Sequence, residues 1–347
     1  MNSLITVLGL PVLGNWSAEC RLFVPLGHEA FCREILHEDE DDSSNAPLGQ
    51  LEELLGLIDT LHRARQKPFL LLTHMNRFPG VVFKELYDSG VRQFPIRKLD
   101  RRALLSGFPR DLAVAVPETM TLLVSTRYRG RVKPRYDGWR VIRSNWGEGG
   151  RIHVSGTTAV VAEREGPIFG RQDHRALREA GIEKIVTLPQ GGALVEEHDG
   201  SKVYARIGHV DVFAGLCTAN DGSLHLFLDP QYPSFDKDVR TAIREYALRM
   251  CEKADITLHV PETDLLVPYS PGFVQLHGGR VILTGGEPWL KDELVKLLGP
   301  MKVFCMKQPF KRIPCYLRAG IHCLVNELPG NFLIDLLEET YRKNATG

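Results

Sequence analysis

The chain has 347 residues, with 43 Lys and Arg balancing 43 Asp and Glu, so no net field draws it to nucleic acid or to an anionic membrane. Its length and composition suit a soluble globular protein with a large core. No uninterrupted apolar run is long enough to span a bilayer, and the apolar residues 1–13 lack the basic start and cleavage site of a signal peptide, so the cytoplasm is the expected location. Seven cysteines, an odd number without C-x-x-C spacing, argue against a disulfide framework and against a zinc site.

In chain order, an N-terminal strand-like stretch leads to Glu38-Asp-Glu-Asp-Asp-Ser-Ser-Asn45, too charged to pack and read as an acidic loop over 38–49. A helix with Leu51, Leu54, Leu55, Ile58 and Leu61 on its apolar face follows and ends by Lys67-Pro68. Phe69–Leu72 then reads as a buried strand, and Leu112–Val116 as another. The basic stretch Arg127–Lys133 reads as a solvated loop beside a strand.

Beyond residue 145 the pattern repeats. Ile152–Ala162, Val210–Leu228 and Phe273–Leu283 read as hairpins turning at Ser155-Gly156, Asn220-Asp-Gly222 and Gly278-Gly279. Each hairpin is followed by a helix (173–180, 236–253 and 289–298) and a strand (184–188, 256–260 and 303–306). A further hairpin is expected around Asp199-Gly200, and a closing helix over Phe332–Arg342. Such units of hairpin, helix and strand predict an α/β array of small mixed sheets around a shared centre, coated by helices. No G-x-G-x-x-G or Walker pattern supports a dinucleotide or nucleotide site.

Polar groups with chemical capacity recur where these elements begin. Asp111 precedes the strand Leu112–Val116, and Glu148-Gly149-Gly150 precedes the first hairpin. His209 and Asp211 open the second hairpin, two apart and so on one face if extended. Gly320-Ile321-His322-Cys323 leads into a strand over Leu324–Leu328. Singly, each has a plainer explanation: a core cysteine, a turn carboxylate, a surface ion pair at Arg110-Asp111. Strand alternation would face His322 away from Cys323, so it reads as structural, and His153 is grouped with it.

The order Arg-Asp, Glu-Gly-Gly, Gly-His-x-Asp and Gly-x-His-Cys resembles the pentein, or guanidino-group-modifying, superfamily of arginine and agmatine deiminases, dimethylarginine hydrolases and amidinotransferases. The resemblance covers roughly residues 105–345 and is weak over the first hundred. It implies a five-bladed α/β propeller about a pseudo-fivefold axis, as a single catalytic domain over 1–347. By the same resemblance Cys323 is the nucleophile, His209 the acid–base and Glu148 the group that orients His209, while Asp111 and Asp211 pair with a substrate guanidinium. Arg151, which stands where several relatives carry an acidic or polar residue, is a candidate for a substrate carboxylate; Arg140, Arg143 and Arg318 are its rivals. No cofactor or metal is required, and the partner is a small guanidino substrate; a homo-oligomer is compatible with the pattern.

Three activities fit this resemblance. The first is hydrolysis of a guanidino group to a ureido group, with release of ammonia or an amine. The second is amidino transfer to an amine acceptor. The third is a non-catalytic binding role, as in the ribosome-associated translation factor that shares the propeller.

Overall fold

Short β-branched and leucine-rich runs, separated by turn residues, pair into five sheets of one topology in a computed structural model. It describes residues 4–10, 23–25, 45–66, 68–72, 97–98, 109–128, 130–162, 174–189, 191–196, 202–207, 209–229, 237–262, 271–317 and 320–336. In each of these sheets two antiparallel strands are joined by a third that runs parallel to the second. Ala113–Val116, Thr121–Ser125 and Trp139–Ser144 make the first such sheet. The second is Ile152–Ser155, Thr158–Ala162 and Lys184–Leu188. The third is Ala214–Thr218, Leu224–Leu228 and Ile256–His259. Val274–Gln275, Val281–Gly285 and Val303–Pro309 make the fourth.

The fifth sheet joins the two halves of the chain. Val325–Pro329 pairs antiparallel with Leu4–Leu10, which runs parallel to Phe69–Leu72. A sixth sheet of Phe23–Pro25, Gly191–Glu196 and Lys202–Ile207 stands apart from this pattern. It contains the hairpin expected around Asp199-Gly200, although those two residues lie outside the described ones. The turns at Gly156 and Gly222 have φ of +58° and +88°, a region in which a glycine costs nothing and an L side chain is strained.

Parallel strands need a crossover, and helices supply it in four of the five sheets. Helices over Arg175–Glu179, Lys237–Ala254 and Pro288–Leu298 fill the three positions the repeat predicts, and Asn45–Arg63 does the same for the fifth. That last helix begins inside the 38–49 stretch expected as loop, while 38–44 lie outside the described residues. Leu51, Leu54, Leu57, Ile58 and Leu61 are at most 2% exposed and belong to the same core cluster as Ile321, Cys323 and Leu324. Burying each such side chain contributes about 1.5–3 kcal/mol as an upper bound, and Cys323 shares that core.

The carboxylate of Glu53, on the same helix, accepts hydrogen bonds from the backbone N–H groups of Lys311, Arg312 and Ile313 at 2.8, 2.6 and 2.9 Å. It thereby caps the helix Arg312–Leu317 that leads toward Cys323. Burial pushes the Glu53 pKa up to about 7 against the pull of those N–H groups. The closing helix is seen over 330–336, and the rest of its expected span lies outside the described residues. Among the described residues no helix is long and apolar enough to cross a membrane.

Candidate active site

Four short segments, each at the start of a sheet, carry the candidate groups to one place. Asp111 ends a 3-10 turn over Pro109–Asp111, and Glu148 lies between 3-10 turns over Asn145–Gly147 and Gly149–Arg151. His209 precedes a third such turn, Val210–Val212, which contains Asp211. Cys323 lies in a single helical turn, Ile321–Leu324, ahead of the strand Val325–Pro329. The expected strand geometry at His209–Asp211 and at His322–Cys323 is therefore corrected to tight turns. The polar side chains still meet, because these turns pack against one another.

The Cys323 thiol donates to Asp211 Oδ2 at 3.0 Å, and His322 Nδ1 lies 3.0 Å from the same oxygen. Asp211 is fully buried; its Oδ1 has no hydrogen-bond partner and stands 3.9 Å from His209 Nδ1. On its other side the imidazole places Nε2 3.2 Å from Glu148 Oε1. Glu148 also takes Arg127 Nη1 at 2.9 Å and Arg151 Nη2 at 2.5 Å. Donor atoms of Asp111, Glu148 and His209 lie within 4.8 Å of one another, as do those of His209, Asp211 and Cys323. The second set is already joined through the thiol proton and His322, so it reads as a hydrogen-bonded network rather than a chelate.

Two glycines make this approach possible. A Cβ on Gly149 would lie 2.6 Å from the Arg110 carbonyl oxygen, and one on Gly150 only 2.3 Å from His209 Nδ1. Neither has a positive φ. The Glu-Gly-Gly motif is thus a matter of space for a neighbouring backbone and ring, rather than of turn chemistry.

The charges fall into two groups. Burial raises the Cys323 pKa well above that of an ordinary thiol, and the Asp211 charge, the Asp211 hydrogen bond and Asp111 raise it further. Burial likewise lifts Asp211 to about 6, against the pull of His209 and of the Cys323 hydrogen bond. For His209, burial disfavours the cation, but the Glu148 hydrogen bond and the charges of Asp211 and Asp111 outweigh it, and the pKa is raised. Burial opposes ionisation of Glu148, yet the His209 hydrogen bond and its arginine partners leave its pKa lowered. The free site thus holds a neutral thiol beside unsatisfied carboxylate capacity, an arrangement that invites a cation.

Sequence reasoning places Cys323, His209, Glu148, Asp111 and Asp211 together, and they lie together. Arg151 is buried and turned onto Glu148 rather than toward an open space. Arg140 and Arg143 bond to the Glu179 carbonyl and to the carbonyls of Tyr128 and Gly130, while Arg318 lies outside the described residues. His322, expected to face away from the site, shares Asp211 Oδ2 with Cys323 because a helical turn replaces the expected strand.

Arg110 and Asn326 are not found by sequence reasoning. Arg110 Nη1 donates to Asn326 Oδ1 at 3.0 Å, and Asn326 Nδ2 donates to the carbonyls of Pro109 and Ala113 at 3.1 and 2.8 Å. An Asn inside the apolar run Leu324–Leu328 is the available signal, since a buried amide must find partners. A cavity of about 600 Å³, opening among the hairpin turns, reaches Arg110, His153, His322 and Asn326 but not Cys323, His209, Glu148 or Asp211.

No protein-family model matches the chain, and no curated protein matches it. Solved structures do. An agmatine deiminase of C. jejuni is 14% identical, with 94% of this chain and 93% of that one covered and a TM-score of 0.52. An agmatine deiminase of Enterococcus faecalis, caught catalysing its reaction, is 12% identical over 94% of this chain and 93% of that one, with a TM-score of 0.50. At such identities the likeness is one of fold. The chain has the mixed α/β fold of these agmatine deiminases.

Proposed function

We propose that the chain is a hydrolase for the guanidino group of a small arginine-like substrate, acting through a covalent thiouronium on Cys323. The observation that carries this reading is Asp211: one oxygen takes the Cys323 thiol, and the other is buried and lacks a hydrogen-bond partner. A planar guanidinium supplies the missing donors and brings its carbon beside the sulfur. Asp111, close to His209 and Glu148, pairs with the same cation from the other side.

Docking of that cation reverses the field at the thiol. The carboxylates that hold the proton on Cys323 become paired, so the thiol gives its proton to solvent, where the amine released later takes it up, and the sulfur attacks the guanidinium carbon. His209 carries the proton that leaves with the departing amine as the carbon–nitrogen bond breaks. The resulting imidazole takes one proton from water, whose oxygen adds to the thiouronium carbon. Collapse breaks the carbon–sulfur bond, returns the second proton to the thiol and releases the ureido product. Glu148 holds the His209 ring in place, and its two arginines keep it ionised for that task. In this reading the five like sheets are the blades of a five-bladed α/β propeller in one domain, closed by pairing of Val325–Pro329 with Leu4–Leu10.

The test is a panel of guanidines (arginine, agmatine, methylarginines, succinylarginine and guanidinoacetate) with and without glycine as acceptor. Ureido product from at least one member, indifferent to glycine and absent in Cys323→Ala, is expected. Glycine-dependent turnover would make the protein a transferase, and turnover surviving in Cys323→Ala would sink the mechanism.

A further inference from the structure

The proton of the His322 imidazole can be placed from its neighbours. Its Nε2 lies 2.5 Å from Arg110 Nη2. A guanidinium only donates, so Nε2 must be the bare, accepting nitrogen. A neutral ring then carries its single proton on Nδ1, which lies 3.0 Å from Asp211 Oδ2 and donates to it. An imidazolium would set N–H against N–H at Nε2, and burial, with the charge of Arg110 and the nearby His153, pushes its pKa well below the ordinary value.

Arg110 is itself fixed. Its Nη1 donates to Asn326 Oδ1, and the orientation of that amide is set because its Nδ2 already donates to two backbone carbonyls. The consequence is felt at Asp211. Oδ2 receives both the His322 N–H and the Cys323 S–H, and Oδ1 receives no hydrogen bond. A carboxylate held by one oxygen cannot rotate to share its lone pairs, so the other oxygen keeps one direction.

We propose that Arg110 and His322 are positioning residues for Asp211: Arg110 leaves His322 with its proton on Nδ1, and that N–H holds Oδ2 so that Oδ1 stays aimed at the incoming cation. The kinetic part rests on the guanidine reading above; the tautomer and the hydrogen bond do not. The Gly-x-His-Cys motif then has two active members rather than one. It also gives Arg110-Asp111 a division of labour, with the carboxylate near the substrate and the guanidinium behind the site.

Nitrogen-15 NMR of histidine-labelled protein tests the structural part, with the His322 signal assigned by its loss in His322→Asn. A neutral ring with Nδ1 protonated and Nε2 bare, unchanged from about pH 6 to about pH 8 around the ordinary His pKa, is expected. A bare Nδ1, or an imidazolium in that range, overturns the proposal.

Kinetics test the rest. His322→Leu is expected to lose about 10- to 100-fold in kcat/KM, mainly through KM, as befits a lost hydrogen bond to a buried charge. His322→Asn, whose amide N–H can donate from a similar position, is expected to recover most of that loss at an unchanged melting temperature. Equal activity of His322→Leu and wild type overturns the proposal, as do equal losses in the two variants. If no guanidine turns over, the proposed function falls and the NMR result alone decides whether Arg110 and His322 hold Asp211.

Discussion

Gly150→Ala places one methyl group where the His209 ring now sits. The added Cβ would lie 2.3 Å from Nδ1, 2.8 Å from Cε1 and 2.9 Å from Cγ, whereas ordinary contact begins at 3.4 Å. Restoring contact at Nδ1 alone requires 3.4 − 2.3 = 1.1 Å of retreat. The backbone at Gly150 is not left-handed, so alanine adds no torsional strain and the effect is purely one of space. His209 Nε2 is already 3.2 Å from Glu148 Oε1, and another ångström breaks that bond. A misplacement of this size costs catalysis on the order of 100-fold. The imidazole is 31% exposed and can swing outward, so the stability cost falls near the low end of overpacking, about 1 kcal/mol. Two assays read this out: kcat/KM on the guanidine that the panel identifies, and titration of His209 by NMR. In the wild type that titration lies above the ordinary value because of the Glu148 bond and the nearby carboxylates; in Gly150→Ala it is expected to fall. A folded Gly150→Ala protein with wild-type rate and wild-type His209 titration would refute the placement of His209.

Three further outcomes follow from the same geometry. Without ligand, neutral iodoacetamide is expected to label Cys323 slowly at neutral pH, no faster than Cys217 or Cys251, both pushed up to about 12 chiefly by burial. A cationic haloacetamidine, which brings its own charge to Asp211 and Asp111, is expected to label Cys323 at least about tenfold faster; equal rates would contradict a cation-dependent thiol. For Glu148→Gln the sign runs through His209, whose pKa in the fold is raised above 6.5. That stabilisation is complete below about 6.5 and is lost as pH rises through the raised value, so the wild type's melting-temperature advantage narrows from mildly acid to alkaline buffer. It does not vanish, because buried Arg151 still loses its ion pair with Glu148; an advantage that widened with pH would count against the pair. Asn326→Leu removes one hydrogen bond each from the Pro109 carbonyl, the Ala113 carbonyl and Arg110 Nη1 and is expected to cost about 3 kcal/mol in urea denaturation. A near-neutral result would mean that the amide does not tie the 3-10 turn at Pro109–Asp111 to the strand Val325–Pro329.

Much of this architecture is legible in the order of residues alone, and the parts that are not share a cause. The three hairpin–helix–strand units between residues 152 and 306 are readable because each is continuous in sequence and punctuated by glycine. The sheet beginning at Ala113 escapes because the described residues among 126–138, between its last two main strands, include no helix to mark the repeat. The fifth sheet escapes because its first strand, Val325–Pro329, and its second, Leu4–Leu10, lie near opposite ends of the chain. No local pattern can reveal a pairing of that kind.

The site shows the same division. Residue types and order point to Cys323, His209, Glu148, Asp111 and Asp211, since the motifs that carry them recur where successive elements begin although each alone has a plainer explanation. Side-chain directions do not follow, because strand alternation misleads where tight turns occur, and that is what hides His322. Arg110 and Asn326 are hidden for another reason: their role is to hold another residue, and it is visible only once the turn and the strand meet.

The most direct test of the central claim is mass spectrometry of the Cys323 peptide after acid quench of the enzyme during turnover of its guanidine substrate. The account predicts an amidino adduct on that sulfur, formed and lost at rates that match turnover and absent from Cys217, Cys251 and Cys305. Turnover at full rate with an unmodified Cys323, or with the adduct on another cysteine, would contradict it.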